Sequence, residues 1–174
     1  MEPFTNKSPK SPQSAGASGS GAVDGGQFLT LRLGDEEYAI DILSVQEIRS
    51  YEEPTRMVNA PSFIKGVINL RGVIVPIVDL RLKLNLASVE YNQFTVVIIL
   101  NVRGTVIGVV VDSVSDVVTL SSQSIKPAPQ FEAALDARFI TGLASLNERM
   151  LIVMNMNALM SNAELGLVSA ALQS

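Results

Sequence analysis

Histidine and cysteine are both missing from the 174 residues, which removes the commonest general base, the usual nucleophiles and the soft metal ligands at once. Most enzyme mechanisms lose their parts, and neither a disulfide framework nor a thiolate zinc site can form. Tryptophan is absent as well, tyrosine occurs three times and phenylalanine six, few for the aromatic platforms of an oligonucleotide-binding β-barrel. Cationic residues are scarce: 13 Lys plus Arg face 17 Asp plus Glu, for a net charge of -4 and a pI near 4.8, a poor match to nucleic acid. Long hydrophobic runs are also lacking. Phe94 to Leu100 is broken by Asn101 and Arg103, and Val106 to Val111 ends at Asp112, whereas a helical membrane span needs about 20 residues. No apolar stretch near the N-terminus reads as a secretory signal. The expectation is a cytoplasmic, non-enzymatic protein without a cofactor or metal.

What is present is apolar surface: 47% of the residues are hydrophobic and 17% charged, and a folded chain of this length buries roughly two-thirds of its unfolded surface. Residues 1–26, rich in Ser, Gly, Pro and Ala, read as a flexible tail. From Phe28 onward Leu29, Leu31 and Leu33 alternate with Thr30 and Arg32, Gly34-Asp35 turns, and Tyr38, Ile40 and Ile42 continue a hairpin. Ile42 to Val45 allows one helical turn before Gln46 to Tyr51 resumes the alternation. Lys65 to Leu70 and Val73 to Asp79 flank Arg71-Gly72 in a second hairpin, where Pro76 requires an edge or bulge position. Leu80 to Leu84 reads as a short helix or strand end. Phe94 to Asn101, Thr105 to Val111 and Val114 to Leu120 lack alternation, as strands buried on both faces do. Phe139 to Leu146, the Asn147-Glu148 turn and Arg149 to Asn155 complete the strands, and a helix is expected after Asn157. About ten short strands at turn spacings of roughly 8 to 12 residues predict an all-β barrel or sandwich. No internal repeat is visible.

The candidate chemistry is thin. Asp112 to Asp116 has the look of a calcium loop, but Val114, Val117 and Gln123 stand where ligands or glycine belong, so a turn with solvated carboxylates is the reading. Asp35-Glu36-Glu37 likewise reads as a solvated turn. Gly-rich phosphate-binding motifs are absent. Met150, Met154, Met156 and Met160 read as core filling. Arg71, at a tight turn between two apolar strands, is the most informative polar residue, and Glu47 is either solvated or paired. Opposite charge favours a Glu47–Arg71 contact, but strand register is not readable from the sequence.

The stretches Leu33-Gly-Asp-Glu-Glu-Tyr-Ala-Ile-Asp-Ile-Leu, Val45-Gln-Glu-Ile-Arg, Phe63-Ile-Lys-Gly-Val-Ile-Asn-Leu-Arg-Gly-Val-Ile-Val-Pro-Ile-Val-Asp-Leu-Arg and Val109-Val-Val-Asp-Ser-Val-Ser-Asp-Val closely resemble the CheW family of chemotaxis coupling proteins. The resemblance covers residues 27–163 and leaves 164–174 as a C-terminal tail or helix. It implies two small five-stranded SH3-like barrels packed around a shared hydrophobic core, with short helical turns and a short C-terminal helix. The first barrel is expected over about 27–86 plus a return strand at about 149–160, the second over about 92–146. The resemblance further implies a groove between the barrels that receives the hairpin tip of a methyl-accepting chemoreceptor, at Val45, Glu47, Ile48, Gly66, Arg71 and Gly108. It implies a second partner, the regulatory domain of a CheA-type histidine kinase, at Val96, Val97, Ile98 and Phe131, and recruitment to membrane-associated receptor arrays. Where family members commonly carry Glu-Phe after the Pro-Ala-Pro loop, this chain has Gln130-Phe131. The aromatic anchor is kept and the charge is lost.

Overall fold

Tight turns fold this chain into hairpins, and at three of them both central residues have positive φ: Arg71 and Gly72 (53° and 89°), Arg103 and Gly104 (53° and 85°), Asn147 and Glu148 (51° and 68°). Two successive left-handed residues define the turn whose twist matches that of paired strands. The computed structural model describes residues 25–58, 60–84, 86, 89–127, 139–158, 164 and 166. Among these residues the strands are β1 (Gly25–Leu33), β2 (Glu36–Asp41), β3 (Val45–Ser50), β4 (Ile64–Leu70), β5 (Val73–Asp79), β6 (Val96–Val102), β7 (Thr105–Val111), β8 (Ser113–Ser121), β9 (Ile125–Lys126), β10 (Ile140–Leu146) and β11 (Arg149–Met154). One helical turn, α1 (Leu80–Lys83), follows β5 and is capped by Asp79, whose side chain accepts from the Arg81 amide. Ile42–Ser44 forms the single 3-10 turn expected there. Residues 1–24 of the expected N-terminal tail, Phe131, Met160 and most of the expected C-terminal helix lie outside the described residues, whereas Gly25 and Gly26, expected in the tail, open β1 opposite Ser121 and Leu120.

The fold is all-β, in two sheets, as SH3-like barrels require. Barrel 1 has the strand order β8-β1-β2-β11-β10-β9 and barrel 2 the order β3-β6-β7-β5-β4. This corrects the expected partition. β3, β4 and β5 do not complete a barrel with β1 and β2, and β8 to β10 do not complete one with β6 and β7. Each leading hairpin closes with strands from the other part of the chain. β1 pairs β8 on one side, and β2 runs parallel to β11 on the other. β6 pairs β3, and β7 runs parallel to β5. Contiguity suggested the wrong grouping because a strand's sheet is chosen by long-range pairing, on which spacing along the chain is silent.

The two barrels repeat one plan, strand for strand, although the sequence shows no repeat. Val45 pairs Leu100 and Val114 pairs Leu31, and a bulge follows each pair. The β4–β5 and β10–β11 hairpins carry bulges after Ile64 and Ile140. The Asp79 amide donates to the Phe63 carbonyl at 2.8 Å, and the Asn155 amide to the Phe139 carbonyl at 2.8 Å. Closure is repeated too. Thr55 bridges Val67 across the seam of barrel 2, and Lys126 pairs Leu143 across the seam of barrel 1. At each seam a glycine admits the crossing chain: a Cβ on Gly66 (φ 149°) would lie 2.1 Å from the Thr55 carbonyl oxygen, and one on Gly142 would lie 2.4 Å from that of Lys126.

The uninterrupted apolar strands are explained by three cores. Leu29, Leu31, Tyr38, Ile40, Ile98, Leu100, Ile107, Val109, Val111 and Ile152 fill the space between the barrels. The alternate residues Ala39, Val118, Leu120, Leu151 and Val153 fill barrel 1, and Val75, Ile77, Val97, Ile99 and Val110 fill barrel 2. Each fully buried aliphatic side chain contributes about 1.5–3 kcal/mol. Pro76 is buried, yet β7 pairs with β5 only from Ile77 onward, so its missing N–H costs no bond to that neighbour.

Candidate functional site

The bulge in β3 turns Glu47 toward the β4–β5 hairpin, whose left-handed Arg71 reaches back across the seam of barrel 2. The Arg71 Nη2 donates to Glu47 Oε1 at 2.6 Å and the Arg49 Nη1 donates to Glu47 Oε2 at 3.0 Å. The contact that charge alone left open is made. Hydrogen bonds from Arg71 and then Arg49 hold the Glu47 carboxyl below its ordinary value, and the same bond raises Arg71. One carboxylate thus anchors two guanidinium groups. Arg71 keeps 70% of its side chain exposed, so a held cation is presented to solvent. Ile48 on β3 and Val73 and Ile74 on β5 are exposed apolar residues on the strands that carry this cluster.

The other expected site residues separate into surface and support. Val45 is half-buried against the shared core. Gly66 is buried under the Thr55 backbone, where only a missing Cβ allows the seam to close. Gly108 is buried as well. A Cβ there would stand 2.8 Å from side-chain carbons of both Ile77 and Val97. Neither glycine offers a surface to a partner. For the expected kinase surface the structure is a correction: Val97 belongs to the core of barrel 2 and Ile98 to the shared core, because β6 lies between β3 and β7. Val96 is half-buried and packs on the shared core. Phe94, two residues earlier and 62% exposed, is the apolar residue at that edge which sequence reasoning passed over.

Two carboxylate readings are corrected. Asp112 and Asp116 are not merely solvated. Asp112 Oδ1 accepts from Arg81 Nη1 at 2.6 Å, and its Oδ2 accepts from the Gly34 amide of the β1–β2 turn at 2.7 Å. It ties barrel 2 to barrel 1. Arg81 is almost wholly buried; it binds Asp79 through Nε and Nη2 at 3.0 and 3.1 Å, donates to the Glu90 carbonyl at 2.6 Å, and lies 4.8 Å from the Tyr91 ring centroid. The Tyr91 hydroxyl donates to Asp79 at 2.5 Å, and burial, then Asp79, raises its pKa. A buried carboxylate is tolerable only with such partners. The Asp79-Leu80-Arg81 spacing was the available signal for this cluster, but it does not report burial. Glu37 is likewise no free turn acid: Arg149 forks onto it through Nε and Nη2 at 3.1 and 2.5 Å and reaches Asp116 at 3.1 and 3.2 Å. The buried Thr30 hydroxyl also bonds Asp116. Met154 and Met156 are core residues, whereas Met150 is exposed.

Comparison with known proteins converges on one family. The profile of the CheW-like domain matches residues 27–164. The chain is 53% identical over 149 residues to the chemotaxis protein CheW of Klebsiella aerogenes, covering 86% of this chain and 90% of that protein. It is 33% identical over 136 residues to the chemotaxis protein CheW of Bacillus subtilis, covering 78% and 87%. The crystal structure of the scaffolding protein TtCheW from Thermoanaerobacter tengcongensis superposes with a TM-score of 0.73 at 28% identity, covering 80% of this chain and 90% of that one. With the paired barrels and the matched profile spanning most of its length, this chain belongs to the CheW family of chemotaxis scaffold proteins.

Proposed function

We propose that this scaffold joins the cytoplasmic hairpin tip of chemoreceptors to the regulatory domain of a CheA-type histidine kinase, working in the cytoplasm at receptor arrays without bond chemistry of its own. The observation that carries the receptor side is the Arg49–Glu47–Arg71 cluster, which fixes an exposed guanidinium beside exposed Ile48, Val73 and Ile74. A held charge on strands that also expose apolar side chains loses little entropy on docking and suits an acidic group on an amphipathic helix. Val45 and Ile48 supply apolar contact, Glu47 holds Arg71, and Gly66 and Gly108 act through the packing they permit. For the kinase, the exposed Phe94 ring beside Val96 offers an aromatic anchor of the kind that dominates interfaces.

The test is reconstitution. Purified chain mixed with receptor signalling fragments and kinase is expected to bring phosphorylation under receptor control, and Arg71→Ala is expected to abolish that control with an unchanged thermal transition. Kinase output indifferent to the wild-type chain would overturn the reading.

A further inference from the structure

The interior that joins the barrels is apolar, and apolar packing has no direction. It holds the barrels together without by itself fixing the angle between them. Direction comes from polar bonds, and one chain of them crosses from α1: Arg81 reaches Asp112, and Asp112 reaches the Gly34 amide of barrel 1. The Asp112 amide also donates to the Arg32 carbonyl of β1 at 3.1 Å. The two ends of this chain differ. Toward barrel 2 it is sealed, because Arg81 and the Asp79 it forks onto are both buried, and Arg81 Nη1 keeps the Glu90 carbonyl as well. Toward barrel 1, Asp112 keeps 34% of its side chain exposed and lines an open cleft with Glu36 and Phe94. Water therefore solvates the Asp112 carboxylate when its bond to Arg81 opens, and Arg81 stays neutralised by Asp79. Opening there leaves no buried charge unpaired, which is the costly outcome.

The repeat shows what stands at the equivalent place on the other side of the molecule. Asp79 and Asn155 correspond, so Arg81 corresponds to Asn157. Asp112 corresponds to Leu43, each two residues before the paired Val114 and Val45. The cap is kept: the Asn157 amide donates to Asn155 Oδ1 at 3.0 Å, as the Arg81 amide does to Asp79 Oδ1 at 3.0 Å. The charges are not kept, and Asn155, Asn157 and Leu43 are all exposed. A leucine side chain accepts no hydrogen bond, so the bridge from arginine to carboxylate to turn amide exists at one of the two places.

We propose that Arg81, Asp112 and the Gly34 amide form a one-sided clasp that sets the angle between the barrels, and that barrel 1 rocks on the shared core when Asp112 releases Arg81. The sealed Arg81–Asp79 pair is the fixed jaw and the β7–β8 crossover, which carries Asp112, is the jaw that moves. The motion is a small change of angle, since the shared core stays buried throughout. The clasp belongs to the free chain and does not depend on which partners the scaffold joins.

The test measures residual dipolar couplings of backbone amides in the full chain, fitted separately for the two barrels. In the wild type both sets are expected to fit one common alignment frame. In Asp112→Ala each barrel is expected to keep its own internal fit while the frame of barrel 1 rotates against that of barrel 2. Asp112→Asn keeps the shape and an acceptor for Gly34 but loses the charge. It is expected to rotate the frame in the same direction by less, and it decides the matter if Asp112→Ala does not fold. Leu43→Ala, at the equivalent place, is expected to leave the wild-type frame in place. A single unchanged frame in the Asp112 variants, or separate frames already in the wild type, would overturn the clasp, and a rotation as large from Leu43→Ala would overturn its one-sidedness.

Discussion

Barrel 1 and barrel 2 share one backbone plan and use it in opposite ways. In barrel 2 the residue opposite the bulge is Ile99, one of the apolar side chains that fill the barrel, and the Glu47–Arg71 pair lies at the surface with its arginine exposed. In barrel 1 the corresponding residue is Thr30, fully buried, whose hydroxyl bonds Asp116 and draws Arg149 inward to 31% side-chain exposure. The crossovers differ as sharply. The β7-to-β8 crossover carries Asp112, bonded to Arg81 and to the Gly34 amide, whereas the corresponding β2-to-β3 position is Leu43, 89% exposed. The backbone plan therefore fixes where a side chain stands, and the side chain decides whether that place is tied into the molecule or stays open to solvent.

The strongest way to break this contrast is at the buried cluster. Arg81→Ala strands Asp79 without its ion partner in a site closed to water, and loss of one member of a buried pair costs about 3–5 kcal/mol. Chemical denaturation is expected to show that loss in full. Next come the two seams. Gly66→Ala and Gly142→Ala each drive a Cβ into a backbone carbonyl, an overpacking expected to cost about 1–3 kcal/mol, with Gly66 the worse because its positive φ adds strain. Paired melting curves measure this, and a neutral Gly66→Ala sinks the account of closure.

A subtler difference shows on acidification. Arg149 and Thr30 hold Asp116 below its ordinary 3.8, as Arg71 and Arg49 hold Glu47 below 4.5. A carboxyl whose folded pKa is lowered binds its proton less readily in the native state. Its stabilisation is complete above the ordinary value and is lost as pH falls through the lowered one. In Arg149→Ala the Asp116 titration, followed by carboxyl carbon resonances, is expected to move up while Glu47 stays put. Arg71→Ala should do the reverse. The smallest effect belongs to Leu43→Ser, expected to change stability by no more than about 0.5 kcal/mol, against a clear loss for Asp112→Ala at the corresponding crossover.

Much of the local structure was legible. The turns at Arg71-Gly72, Arg103-Gly104 and Asn147-Glu148 and the one-turn helices after Asp41 and Asp79 follow from short-range preferences. The β7 strand follows from its run of β-branched residues. Illegible were the pairing of β1 with β8 and of β3 with β6, and with them the repeat. Between the two halves the repeat keeps Phe63-Ile64 and Gly66 as Phe139-Ile140 and Gly142, a match too short to stand out, while most of the hairpin residues that follow differ. Val97 and Ile98 were set at a docking surface by the resemblance alone, whereas their unalternating apolar run already reads as a strand covered on both faces, and the structure follows the run. Asp79 and Arg81 looked ordinary because a charged pair two residues apart gives no sign that Tyr91 and Asp112, far along the chain, will enclose it.

By itself, then, the sequence determined the class of fold, the hairpins, the absence of thiol and imidazole chemistry and the family, all of which rest on composition and neighbouring residues. The tertiary structure alone decided which strands share a barrel, that Glu47 holds Arg71, that Arg81 is entombed between carboxylates, and that Arg149 joins Glu37 to Asp116. These depend on register and burial. Register is set by which apolar faces find one another across the whole chain, and burial decides whether the same charged side chain is a support or a contact.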